Sequence, residues 1–173
     1  MIELNQKGLI VPDYNVPSTV PELATVFVKD RATPQRLALF RGYLDYMTDL
    51  CACLGELSFT QWVDGSFTTA EPHPGDIDIV TFLSFADIDK LGPALKPFTY
   101  PQSLGYGMDA YLVRVFPPEH RLFALYVGDR DYWLDKFTKT ERNRRGIVYK
   151  KGFLELIYSD EERTTLKSLR SDS

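Results

Sequence analysis

The sequence predicts an α+β domain. One long amphipathic stripe runs through residues 34–54, and three short apolar runs bounded by turn residues lie near 58–63, 77–83 and 109–116. With 173 residues, the simplest organisation is a single domain over 1–173, long enough to bury one substantial core.

The elements follow in order. Residues 8–22 read as an irregular, proline-spaced entry, because Val11-Pro12, Val16-Pro17 and Val20-Pro21 favour extended backbone. A short helix is expected from Pro21 to Phe27. The best-marked helix comes next: Thr33 is a suitable N-cap and Pro34 sits at the first helical position, where its missing N–H costs nothing. Leu37, Phe40, Leu44, Met47, Cys51 and Leu54 then recur at three- and four-residue steps as a core stripe, and Gly55 closes the helix.

Ser58 to Val63 reads as a strand running into the Gly65-Ser66 turn. Ile77 to Leu83 is apolar on both faces, as a central strand would be. Ser84 to Leu91 suits a short helix with Ser84 as N-cap and Gly92 as its stop. A Pro/Gly-rich connection, Pro93 to Gly107, leads to a third strand at Asp109 to Phe116. Pro118 to about Phe137 is expected to be mostly helical with a break at Gly128, followed by a basic segment, an apolar run Phe153 to Tyr158, and a polar tail to Ser173 that frays.

Composition narrows the function classes. Apolar residues at 44% and charged residues at 25% are ordinary for a globular chain. No apolar run reaches the length of a membrane span and Met1 to Lys7 has no signal-peptide pattern, so the expected compartment is the cytoplasm, with no membrane partner. Cys51 and Cys53 are the only cysteines and face away from one another by about 200° on a helix, reading as fillers and not as a zinc or disulfide pair. Two histidines, His73 and His120, exclude a histidine-rich metal site.

The net charge of −4 argues against a general nucleic-acid coat protein. Charge is uneven, however: Lys136 to Lys151 holds seven basic residues against Glu141 alone, leaving about −10 on the remainder. Such a block is either a solvated surface or a face that holds phosphates or an RNA backbone.

The chemistry-bearing stretch is Gln61-Trp62-Val63-Asp64-Gly65-Ser66-Phe67, a loop through Pro72, Pro74 and Gly75, then Asp76-Ile77-Asp78. Carboxylates at i and i+2 on a strand share one face, and at that spacing they need a cation, a proton or solvent. A glycine-serine turn ending the previous strand offers backbone N–H groups and a hydroxyl to a phosphate. Carboxylates for Mg²⁺ beside a phosphate cradle are the parts of phosphoryl-type transfer. The competing reading is a solvated turn with surface aspartates.

With its glycine-serine pair, short gap and aspartate pair among apolar residues, the chain resembles the DNA polymerase beta-like nucleotidyltransferase superfamily, through Gly65, Ser66, Asp76 and Asp78. It is similar, closer still, to small bacterial proteins of unassigned function carrying Trp-Val-Asp-Gly-Ser-Phe and Pro-Gly-Asp-Ile-Asp, here Trp62 to Phe67 and Pro74 to Asp78. The resemblance implies a nucleotidyltransferase-like mixed β-sheet flanked by helices, with a motif core at about 34–137 and the basic segment at 136–158. It implies Mg²⁺ (or Mn²⁺) held by Asp76, Asp78 and Asp109, the last also helping to deprotonate an acceptor hydroxyl. Asp109 as a simple loop cap is the alternative, and Asp129 and Asp131 are weaker candidates for the third carboxylate.

Gly65 and Ser66 would bind the phosphates of an NTP, and Arg142, Arg144 and Arg145, with Arg114 as another candidate, would cover outer phosphates or acceptor. Asp64 suits turn chemistry or support of a metal ligand, and Trp62 and Trp133 read as core. The expected activity is transfer of an NMP from an NTP to a hydroxyl of a partner protein or an RNA end. Little chain remains for the helical domain of larger superfamily members, so a second copy or a toxin or defence partner would complete the acceptor site. The alternative is a catalytically inactive binding module, an antitoxin or defence-complex subunit.

Overall fold

A computed structural model describes residues 1–171; Asp172 and Ser173, the end of the expected tail, lie outside the described residues. Two short strands, β1 (Glu3–Leu4) and β2 (Ile10–Val11), form an antiparallel ribbon. The main sheet contains β3 (Asn15–Ser18), β4 (Phe59–Asp64), β5 (Ile77–Ser84), β6 (Met108–Val115) and β7 (Phe153–Tyr158). Their order across the sheet is β3-β7-β4-β5-β6, with parallel pairs at the two edges and antiparallel pairs between them. The fold is therefore α+β with a mixed sheet between helices, and β5 is an interior strand as its two apolar faces require.

Strand alternation sorts side chains onto two faces. Phe59, Val63, Ile79, Ala110, Leu154 and Leu156 point into the larger core, which α2 (Pro34–Leu54) fills with Phe40, Tyr43, Leu44, Tyr46, Met47 and Leu50. Trp62, Val80, Phe82, Val113 and Phe153 point the other way, under Trp133 and Phe137 of α4 (Phe123–Phe137). Both tryptophans are thus core residues, as their sequence context suggested.

Helix α2 starts and stops where its caps predict. The Thr33 hydroxyl accepts from Arg36 N, Pro34 opens the helix, and Gly55 leaves it at φ +64°. The expected stripe is shifted: Leu37 is 42% exposed, while Arg36, one residue away and about 100° around the helix, is buried. Helix α3 (Phe85–Leu91) has Ser84 as N-cap and ends at Gly92.

Three expectations fail for physical reasons. α4 begins at Phe123 and runs through Gly128 without a break; Gly128 is exposed, so only its intrinsic propensity cost of about 1 kcal/mol opposes the helix. The proline-spaced entry is not irregular throughout, because Asn15–Ser18 form β3 and pair in parallel with β7, while the short helix expected after it is present as α1 (Val20–Ala24), prolonged by a π turn over Thr25–Lys29. The polar tail is α5 (Asp160–Ser171), docked on α2. Leu166 is buried there, Arg170 pairs with Asp45 at 2.8 Å, and Glu162 accepts from Val20 N at 2.6 Å.

One buried cation positions the loop between β4 and β5. The Arg36 guanidinium donates to the carbonyls of Phe27, Phe67, Thr69 and Glu71, at 3.1, 2.8, 2.6 and 2.5 Å, and lies 5.4 Å from the Phe67 ring centroid. Thr33 donates to Pro72 O at 3.2 Å, and Gln35 donates to Pro74 O. The first turn of α2 therefore holds residues 67–74 by their carbonyls. Arg36→Met should cost about 3 kcal/mol or more in urea unfolding, because buried carbonyls lose their donors. Arg36→Lys should recover little of it, since an ammonium cannot span four acceptors in the plane of a guanidinium fork.

Candidate functional site

Asp64, Asp78 and Asp109 sit in one row across three neighbouring strands: Asp64 pairs with Asp78 in the β4–β5 ladder, and Asp78 pairs with Asp109 in the β5–β6 ladder. All three project to the α4 face. Asp76, two residues before Asp78, completes the group. Asp76, Asp78 and Asp109 each present a carboxylate oxygen within 4.8 Å of the others. The expected trio is thus brought together, and Asp129 and Asp131 lie apart from it, exposed on α4.

Burial and mutual repulsion raise the pKa values of Asp76 and Asp78. Asp78 is pushed up to about 7, mainly by burial and then by Asp76, Asp64 and Asp109. Asp76 is raised by burial first and by Asp109 and Glu141 next, while Lys136 pulls both groups back down. Asp109 Oδ1 is buried with no hydrogen-bond partner. Three carboxylates with an unsatisfied inward oxygen, and no nitrogen or sulfur donor among them, suit a hard divalent cation such as Mg²⁺ or Mn²⁺. The residues present therefore fit the expected metal.

Asp64 is held differently. It is buried and forms an ion pair with Lys151, also buried, and accepts from Thr68 Oγ1 at 3.2 Å. Burial pushes Asp64 upward, and Lys151 opposes that shift. Lys151 lies two residues before Phe153 of β7, on the α4 face, so its side chain reaches along the sheet to the carboxylate row. Within the basic segment, Lys151 is thus an internal countercharge and not a surface contact.

The glycine-serine turn does what its residue types suggest, with one addition. Gly65 has φ +94°, and a Cβ there would stand 3.0 Å from Asp78 Oδ2 and 3.1 Å from Asp78 N. Any side chain would be strained and would press on the carboxylate. Ser66 Oγ accepts from Gly75 N at 3.0 Å, tying the two halves of the motif together. Its hydroxyl proton remains available for an incoming oxygen.

A cleft of about 760 Å³ opens over these residues, a volume within the usual range for small-molecule sites. Its far wall is the end of α4 and a short hairpin, residues 138–151, closed by Thr140 N to Tyr149 O (2.8 Å), Asn143 N to Ile147 O (3.1 Å) and Lys151 N to Thr138 O (3.0 Å). Lys136, Lys139 and Arg142 line the cleft; Arg144 and Arg145 stand on the exposed hairpin tip outside its walls. Arg114 points to the opposite face of the sheet and pairs with Asp89 of α3 at 2.5 Å, away from the carboxylates. His73 is exposed in the motif loop, and His120 packs in a three-ring cluster with Phe85 and Phe116, each 4.7 Å away by ring centroids and themselves 5.1 Å apart.

Two residues at this site were not singled out by sequence reasoning: Lys136 as the cation acting on Asp76 and Asp78, and Arg36 as the clamp on the motif loop. The signal for Arg36 was its position four residues before Phe40, on the buried arc of α2.

The chain belongs to a family of unknown function, DUF6932. The match covers residues 2–157, which takes in the turn, all four aspartates, the hairpin and nearly all of β7, and stops short of α5. No curated protein and no solved structure matches the chain.

The raised Asp78 fixes a direction for pH. From the ordinary carboxylate range up to about 7, the folded chain keeps the Asp78 proton that the unfolded chain has lost, so metal-free stability falls as pH rises through that window. The loss should be about 4 kcal/mol and level off above it. Urea melts across this range should show the slope, Asp78→Asn should flatten it, and Mg²⁺ should stabilise the wild type more at pH 8 than at pH 6. Separately, Lys151→Met should cost about 3–5 kcal/mol by leaving Asp64 buried and unpaired, and adding Asp64→Asn should recover most of that in the same measurement.

Proposed function

We propose that the chain is a Mg²⁺-dependent nucleotidyltransferase that moves an NMP from an NTP to a hydroxyl of a partner protein or an RNA end. The observation that carries this reading is the convergence of Asp76, Asp78 and Asp109 within 4.8 Å, with Asp109 Oδ1 buried and unpartnered, next to the Gly65-Ser66 turn. A pure scaffold gains nothing from three close carboxylates, one of which is driven toward protonation.

Asp76, Asp78 and Asp109 would hold the divalent cation. When bound, the metal would supply charge neutralisation at the phosphates and lower the pKa of a coordinated hydroxyl. Gly65 lets the triphosphate approach the backbone without a Cβ in the way, and Ser66 donates its free hydroxyl proton to a phosphate oxygen. Lys136 and Arg142, on the cleft wall, meet the outer phosphates. The acceptor oxygen bonds to the α-phosphorus as the bond to the bridging oxygen breaks, and pyrophosphate leaves. The Asp109 carboxylate would help take the acceptor's proton through the metal it shares. Of the three arginines expected to cover phosphates or acceptor, Arg142 lines the cleft and would meet the nucleotide, while Arg144 and Arg145, exposed on the hairpin tip, would meet a larger acceptor beyond it.

Incubation with labelled NTPs, Mg²⁺ or Mn²⁺ and a cell extract should transfer label to a macromolecule whose size and nuclease or protease sensitivity identify its class. Asp76→Asn with Asp78→Asn should abolish transfer, by at least about 10³-fold if the metal contributes as in related chemistry. Label transfer that survives the double substitution would remove these residues from the reaction.

A further inference from the structure

A row of aromatic rings begins beside Asp109 and runs outward to the surface. Tyr111 follows Asp109 by two residues on the same face of β6, about 6.6 Å along the strand. Its ring lies 4.5 Å from that of Trp133 and 6.1 Å from that of Tyr100, the last pair stacked with planes 16° apart. Tyr100 is fixed by its backbone, Tyr100 N donating to Ala110 O at 2.8 Å, yet its side of the row is open: the residue is 52% exposed. Lys136 Nζ stands 5.0 Å from the Trp133 ring centroid and 6.0 Å from that of Tyr111, between the aromatic row and the carboxylates.

We infer that Tyr100, backed by Tyr111 and Trp133, is a stacking platform for a nucleobase whose phosphate is held by Lys136. The inference rests on the nucleotidyl-transfer reading of the adjoining carboxylates for the direction in which the phosphate points. The chemistry of the neighbourhood selects the ligand. An exposed, backbone-fixed ring stacked on a second ring loses little freedom when a third planar group is laid on it, and every base has a π-face to offer. Lys136 Nζ lies 6.0 Å from the Tyr111 ring that backs the platform and supplies the charge that a phosphate needs. An acidic peptide would instead meet Asp76, Asp109, Asp135 and Glu141 along the cleft.

The base can belong to the donor NTP or to the end of a single-stranded acceptor, and paired probes separate these sources. Binding to the full chain is measured for ATP against ribose 5-triphosphate in the presence of Mg²⁺, and for hexaadenylate against an abasic hexamer. Tyr100→Ala should weaken at least one base-bearing probe by about five-fold or more, the low end of the stacking contribution per base, while leaving its base-free counterpart unchanged. Tyr100→Phe should retain wild-type affinity, which a role of the hydroxyl in folding or hydrogen bonding would not allow. The pair that responds names the source of the base. Equal loss for base-bearing and base-free probes, no loss for either, no binding of any probe, or a Tyr100→Phe as weak as Tyr100→Ala would each overturn the platform. A stacking effect in a chain that transfers no label would retain the platform and overturn the transferase reading; label transfer with unchanged binding by Tyr100→Ala would do the reverse.

Discussion

Repulsion among Asp64, Asp76, Asp78 and Asp109 sets the terms for everything around them. Like charges opposite one another in a sheet are destabilising, and here three occupy one row on adjacent strands. Two full charges 4.8 Å apart repel by roughly 3 kcal/mol even at an effective dielectric of ~20. The chain contains this in three separate ways. Lys151 neutralises Asp64 from the neighbouring strand on the same face, Asp78 is driven toward its protonated form, and Lys136 offsets Asp76 and Asp78 from the cleft wall. Of the four carboxylates, Asp64 alone has a dedicated buried cation, which leaves the other three with a deficit that a divalent cation matches.

The same requirement explains the attention the fold gives to one loop. Carboxylates this close are useful only if the backbone beneath them cannot relax, and the segment joining β4 to β5 has almost no regular structure to hold it. α2 supplies the missing hydrogen bonds: Thr33, Gln35 and Arg36 of its first turn together reach six carbonyls, five of them between Phe67 and Pro74. Ser66 adds the link to Gly75, and the absence of a side chain at Gly65 leaves room for Asp78. A helix cap, a buried arginine and a glycine thus act on a single geometry, the separation between the turn and the aspartate pair.

Much of this was legible in the sequence, and what was not has physical causes. Local signals carried well: Thr33-Pro34, Gly55, Ser84 and Gly92 mark ends that backbone sterics and capping decide without help from the rest of the chain. The Asp76/Asp78 pair and the Gly65-Ser66 turn were legible because carboxylates two residues apart on an extended chain share a face, whereas Asp109 was reached through what the family resemblance implies for the neighbouring strand. Long-range pairing was not. β3 and β7 are joined in parallel across more than 130 residues, and β3 is short and contains Pro17, which only an edge strand tolerates. α5 has few apolar residues and is defined by docking on α2, so its sequence alone reads as a solvated tail. Lys151 was hidden by its neighbours, since a lysine inside a basic run looks like surface charge until a strand turns it inward.

The hairpin joins two tasks that could have been separate. Its base is fixed at the carboxylate row through Lys151 and through the backbone bond from Lys151 N to Thr138 O, Arg142 lines the cleft, and the tip carries Arg144 and Arg145 into solvent. One short segment therefore runs from an internal countercharge to an external cationic surface. The acidic cleft and the basic tip are consequently parts of one charge arrangement, which accounts for the sharp local reversal of sign in a chain whose net charge is only −4.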